Sequence, residues 1–473
     1  MSAASIHAEV TPADTSGRCP LLFLLGSAVS WLVVSGALAL IASIQLHSPH
    51  FLENCAWLTH GRVQALRETA FVYGWLGNAG IAIVLWVLAR VGSAQLRALN
   101  WIGVGALFWN IGLTAGLVGI SLGHMTSFSM LQLPGYVQLL MTFAYASMAV
   151  AGVLAWSDRR HDELYVSQWY AVAALFLFPW VLTAAQLMLV WAPVRGVVQA
   201  VTAAWYGQSL ISLWLSPIAL AAAYYIVPKV TGRAMPSYKM FAVLGFWTLL
   251  FAGPFVGARH FVTGPVPAWI ATLGLAAAWT VIFHFLVIVL NLRGVLGGAG
   301  TSLKFMAYGL TFYVVGGVLD CFVLFRSVAR ESQFTLVTTA LDQIMLYGAI
   351  SMIFFGAIYY LLPRVTGRAW ASGGLVSGHR LLMQVGIVLL VGSLFLAGRA
   401  QGEGLADASM SFTDIAGHMK TWLLLGTAAN AVLLLGNVLL FVNFLRTACP
   451  FTPAAATSDT LFRQPSTMEA PAS

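Results

Sequence analysis

The sequence predicts an all-α polytopic membrane protein of twelve transmembrane helices. Three observations carry that prediction. Of 473 residues, 60% are hydrophobic and only 8% charged, whereas a soluble domain carries about a quarter charged residues. Apolar runs of the ~20 residues needed to cross a bilayer recur along the whole chain. The basic residues fall mostly between those runs, where they act as topology signals at a membrane face. Runs of this length in hydrocarbon satisfy their backbone groups as helices.

Taken in order, the spans are expected near 20–46, 69–92, 101–121, 133–155, 168–192, 205–227, 239–261, 266–292, 303–326, 338–362, 381–399 and 420–446. The first run, Pro20 to Leu46, is longer than a signal-peptide core of about 7–15 residues and reads as a retained helix. Residues 1–19 form a predicted cytoplasmic segment, 20–448 the membrane domain, and 449–473 a disordered cytoplasmic tail rich in Pro, Ser, Thr and Ala. With twelve spans both termini share a side. Placing them inside puts 15 of the 23 Lys and Arg residues there and leaves 8 outside, so both termini are predicted cytoplasmic.

The net charge of +8 therefore speaks for the membrane surface and not for nucleic acid. The four cysteines, Cys19, Cys55, Cys321 and Cys449, form no Cys-x-x-Cys or Cys-x-x-Cys-His motif. They predict neither a disulfide framework nor a covalently attached haem.

An internal repeat fixes a register. Residues 224–233 read YYIVPKVTGR and residues 359–368 read YYLLPRVTGR, identical at seven of ten places and 135 residues apart. Each copy lies at the same end of its span, the sixth and the tenth. Pro228 and Pro363 sit near a helix end, where a missing N–H costs least. Gln208 precedes Tyr224 by 16 residues and Gln343 precedes Tyr359 by 16, which places both amides about 24 Å from those helix ends at matching depth.

The stretch AWYGQSLISL followed by YYIVPKVTGR resembles the sixth helix of catalytic subunit I of the cbb-type (C-family) haem–copper cytochrome c oxidases. GSAVSWLVVSG, HGRVQALRE, VGARHFVTGPVPAW and LKFMAYGLTFY agree in order, and AGRAQG and LLLGNVLLFVNFLRT resemble that family's C-terminal region. The resemblance runs from about residue 20 to 448. It implies three quasi-repeated arcs of four helices around a low-spin haem and a haem–copper centre where oxygen is reduced. It also implies companion membrane or cytochrome c subunits in the cytoplasmic membrane of a bacterium.

The implied ligand positions are where the chain departs from that family. At the haem-ligand positions stand Arg67, Leu341 and Gln343; at the copper-ligand positions stand Gln208, Arg259 and His260, of which only His260 is an imidazole. The position of the family's redox tyrosine is Gly253. Guanidinium has no lone pair to donate to a metal, and imidazole is the usual ligand of both ions.

The expectation is a subunit without haem or copper, a scaffold in a respiratory electron-transfer complex with no catalytic residue of its own. Two alternatives stand beside it. One is an active terminal oxidase holding haem b and copper through unusual ligands such as Met345 or His284. The other is a proton conduit or quinone-binding membrane anchor.

Buried polar groups inside spans are costly and informative. The candidates are Asp320, Asp342 and His284. Arg67, Asp342 and Gln343 are expected to share a polar cluster in the place of the low-spin haem. Asp320 is expected to keep a polar contact, His284 to be a core histidine bonded to a neighbouring helix, and Glu68 to be solvated. His60, His124 and His418 are placed in outer loops.

Overall fold

In the computed structural model, which describes residues 10–235, 239–292 and 300–448, twelve helices are long and apolar enough to span a bilayer. They are α1 Arg18–His47, α2 His60–Val91, α3 Leu99–Leu122, α4 Gly135–Ser157, α5 Val166–Trp191, α6 Val197–Thr231, α7 Phe241–Phe261, α8 Ala268–Leu292, α9 Thr301–Phe322, α10 Leu336–Thr366, α11 Gly373–Ala406 and α12 Phe412–Ala448. No strand occurs among the described residues. The predicted tail, 449–473, lies outside them, as do residues 1–9 of the predicted N-terminal segment.

The helix count agrees with the sequence, but several helices outrun their apolar stretches. α2 starts at His60 and not at 69, and α12 at Phe412 and not at 420. His60 and His418 therefore stand on helices, while His124 lies in the loop after α3. Charged groups such as Arg62, Arg67 and Lys420 end a hydropathy run without interrupting the backbone ladder, and long basic side chains reach the interface from helix ends.

Burial sorts the helices into an inner and an outer set. Of the central apolar window, 94% is buried in α2 and 100% in α6 and α10, against 39–50% in the other nine. The inner members are the second, sixth and tenth, so the chain closes three four-helix arcs around one axis. Each inner helix carries a π-helical stretch, Ala70–Gly77, Leu210–Leu215 and Ile344–Ser351. A further π turn, Leu187–Trp191, ends α5. Widened turns rotate one half of a helix against the other and recur at functional sites.

At the axis Trp86, Tyr225 and Tyr360 meet edge to face, with centroids 5.7, 5.9 and 6.4 Å apart. A five-residue helix, Pro12–Ser16, closes this end of the bundle. Its Asp14 is fully buried; it accepts from Trp86 Nε1 at 3.1 Å and pairs with Arg90 Nη1 at 2.6 Å. Arg90 Nε in turn donates to the Tyr225 hydroxyl at 3.0 Å.

The two repeat copies adopt the same backbone. Gly232 and Gly367 are left-handed, at φ of +67° and +69°, a conformation glycine enters without steric cost. Their N–H groups donate to the carbonyls of Pro228 and Pro363 at 2.9 and 2.8 Å. Thr231 and Thr366 each donate one turn back, to Val227 and Leu362, at 2.8 Å. The motif is a helix stop used twice.

Close helix contact at glycine lets the inner set seat deeply. A Cβ on Gly309 of α9 would stand 2.9 Å from the Ala349 carbonyl of α10, and one on Gly356 of α10 would stand 2.8 Å from the Ser302 carbonyl of α9. Small residues let spans approach backbone to backbone in this way.

Candidate functional site

Arg67 and Gln343 come together as the sequence suggested. Both line a space between α1, α2, α10, α11 and α12 in which about 40 Å³ is open to the centre of a water molecule. That is room for a few waters, since one needs ~10–15 Å³. Aromatic side chains fill the rest. Phe71 of α2 stacks on Tyr347 of α10 with centroids 5.1 Å apart, and the Tyr347 hydroxyl donates to Asn437 Oδ1 at 2.9 Å.

Asp342 does not join this group, so the expected cluster is corrected. Successive helical residues point about 100° apart, and while Gln343 lines this space, Asp342 does not. Instead it accepts from Arg259 Nη2 at 2.6 Å. Glu68 has partners that the sequence did not foresee. It is partly exposed, and the loop after α3 also holds it: it accepts from Ser129 Oγ at 2.6 Å, the Met130 N–H at 2.8 Å and Gln132 Nε2 at 2.7 Å.

The second site lies between α6, α7, α8, α9 and α10. Gln208, Gly253, Asp320 and Met345 help line it, and about 20 Å³ is open, enough for roughly one water. Beside it, Arg259 donates through Nη1 to Asp320 Oδ1 and through Nη2 to Asp342. The Arg259 and Asp320 side chains are 3% and 8% exposed, that of Asp342 31%. One guanidinium thus clasps acids on α9 and α10 to the end of α7. Asp320 makes the polar contact expected of it; its partner and that of Asp342 were not foreseen.

The other singled-out positions are packed against protein. Gly253 leaves no room for a side chain, because its Cβ would stand 2.7 Å from the Ser212 Cβ of α6. One turn on, a Cβ on Gly257 would stand 2.8 Å from the Ala204 carbonyl. Leu341 lines neither space; it sits in an apolar cluster with Val323 and Ile344, against Phe312 and Val391.

The His260 ring lines neither space, and its main-chain carbonyl accepts from Gln333 Nε2 at 2.5 Å. His284 bonds through Nδ1 to the Gly245 carbonyl at 2.7 Å and through Nε2 to the Tyr313 hydroxyl at 3.0 Å. It is a core histidine with both ring nitrogens engaged. Among the described residues no three His, Cys, Asp or Glu side chains gather as a metal site would require.

The charged contacts that sequence reasoning missed share a cause. Asp14 stood in a segment read as lying outside the membrane domain, and nothing in its local sequence tied it to Arg90. The Arg259 clasp joins residues 61 and 83 positions apart. Only the presence of uncancelled charge within spans signalled that partners had to exist.

A family model described as "Cytochrome C and Quinol oxidase polypeptide I" matches residues 20–432. The chain is 24% identical over 387 residues to the Cbb3-type cytochrome c oxidase subunit CcoN1 of Stutzerimonas stutzeri, covering 79% of this chain and 81% of that protein. It is 27% identical over 398 residues to cytochrome c oxidase subunit 1 of Rhodobacter capsulatus, covering 79% and 73%. A solved heme-copper terminal oxidase dimer shares the fold at a TM-score of 0.73 and 12% identity, over 93% of this chain and 86% of that one.

Proposed function

From the chain's membership of the cytochrome c and quinol oxidase polypeptide I family, we propose that it is a non-catalytic member, a scaffold subunit of a respiratory electron-transfer complex that holds neither haem nor copper. The observation that carries this reading is Arg259, buried and paired at once with Asp320 and Asp342. At the position of a copper ligand it supplies positive charge from the protein itself. A metal cation there would face a guanidinium with no acceptor lone pair.

The remaining ligand-equivalent positions support the same reading. Arg67, Leu341, Gln343 and Gln208 offer a cation, an alkyl group and two weakly donating amides in place of imidazoles. The spaces beside them, about 40 and 20 Å³, compare with ~300 Å³ or more for an ordinary small-molecule site. A haem does not fit these side chains as they stand. With Gly253 pressed on Ser212, a redox tyrosine has no place either.

In this reading the subunit lies in the cytoplasmic membrane of a bacterium with both termini inside. It presents an intact oxidase-like exterior to companion membrane or cytochrome c subunits. The test is an absorption spectrum, a pyridine haemochrome assay and copper analysis of the purified full chain. Substoichiometric haem and copper are expected; two b haems and one copper ion per chain would overturn the proposal.

A further inference from the structure

A cavity lies away from both filled sites, at the end of the bundle closed by Pro12–Ser16. It has a volume of about 770 Å³, within the ~300–1,000 Å³ range of small-molecule sites. Its walls come from the repeat in α6, from the end of α2 and from the loop after α4. Tyr224, Tyr225 and Tyr165 give it aromatic surface, and Arg90, Arg160 and Lys229 give it positive charge. Among the described residues no Asp or Glu lines it.

The three cations are placed differently. Arg90 is held by Asp14 and Tyr225, so it is a fixed part of the wall. Arg160, in the loop after α4, and Lys229, in the last turn of α6, are exposed, and among the described residues neither makes an ion pair. Two exposed basic side chains and one anchored guanidinium, lining one cavity with three tyrosines, form a receptor for an anion that carries an organic body. Phosphate esters meet that description, because guanidinium and ammonium groups give phosphate oxygens strong charge-assisted hydrogen bonds. The cavity is many times larger than one inorganic ion. Its position at helix ends is also where basic clefts meet anionic lipid headgroups.

We propose that this cavity binds a phosphate ester, with Arg160 and Lys229 gripping the phosphate and the tyrosine wall covering the organic part. The ester is either the headgroup of a membrane lipid or a soluble organic phosphate. The proposal is independent of whether the inner sites hold metals.

The test is native mass spectrometry of the delipidated full chain with dioctanoyl-phosphatidylglycerol, with adenosine triphosphate, and with dioctanoylglycerol, which has no phosphate. Each probe is repeated on R160Q/K229Q and on R399Q/K420Q, which makes the same charge change elsewhere. Saturable one-to-one binding of the phosphatidylglycerol identifies a lipid site, and of the nucleotide alone a soluble-ester site. In either case R160Q/K229Q should weaken it about tenfold or more, as loss of charge-assisted contacts predicts, and R399Q/K420Q should not. Because the two mutated side chains are exposed and unpaired, the variant keeps its fold, checked by an unchanged Tm. Saturation by neither phosphate ester, equal binding of dioctanoylglycerol, or equal affinity in the two variants would overturn the proposal.

Discussion

Tyr225 and Tyr360, the second tyrosines of the two repeat copies, face each other across the bundle axis with ring centroids 6.4 Å apart. Their neighbours in sequence, Tyr224 and Tyr359, turn outward: Tyr224 stacks on Tyr170, and the Tyr359 hydroxyl meets His379 Nδ1 at 2.9 Å. The repeat therefore places equivalent side chains in equivalent surroundings, and the arc symmetry reaches individual residues.

Breaking the Arg259 clasp from one side should destabilise the protein strongly. R259Q leaves Asp320 and Asp342 together without their cation, a change of the kind that costs about 3–5 kcal/mol in buried pairs. The triple variant R259M/D320L/D342L removes all three charges and should recover much of that loss. Thermal unfolding in detergent checks both. An unchanged Tm in R259Q would show that the clasp contributes nothing.

Restoring imidazoles at Arg67 and Gln343 should not by itself restore a haem. In R67H/Q343H the Phe71–Tyr347 stack still fills the space, so the purified variant should show no stoichiometric Soret band after expression with excess haem. Adding F71A and Y347A clears the stack and should raise haem uptake. A full Soret band in R67H/Q343H alone would refute the argument from volume.

Enlarging Gly253 should push α6 and α7 apart. G253A sets a methyl 2.7 Å from Ser212 Cβ, and overpacking of this kind costs about 1–3 kcal/mol. Adding S212G should relieve it. A Tm for G253A equal to that of the parent would show that the contact yields freely.

The two helix stops should respond alike to substitution. G232A and G367A each force a side chain into the left-handed region, at about 1–2 kcal/mol. Because the hydrogen bonds match in the two copies, the two losses of Tm should also match, and a large inequality would contradict the shared geometry.

Much of the fold could be read in the sequence because hydropathy reports on lipid, and lipid decides where spans lie. The repeat located the sixth and tenth helices in one register, and both proved to be inner helices. The ends were less legible: α2 and α12 continue through Arg67 and Lys420 because helical hydrogen bonds do not depend on side-chain polarity. Within the candidate sites, that Arg67 and Gln343 line one space was expected from the family resemblance, which brings the second and tenth helices together there. The destination of Asp342 was not, since one residue along a helix is a turn of about 100°, and which neighbour fills that direction depends on how α7 packs. Likewise the stacking of Phe71 on Tyr347 is a tertiary fact without a local signature.

Asp14 has a consequence for the order of biosynthesis. It emerges from the ribosome among the first residues of the described chain, whereas the aromatic rings around its partners come from α2, α6 and α10. Trp86 and Arg90 are made early, but the Tyr360 ring that packs on Trp86 appears 270 residues after Arg90. The short helix thus links early and late segments: Asp14 is held by Trp86 and Arg90 of α2, and Trp86 is in turn packed by the Tyr360 ring of α10.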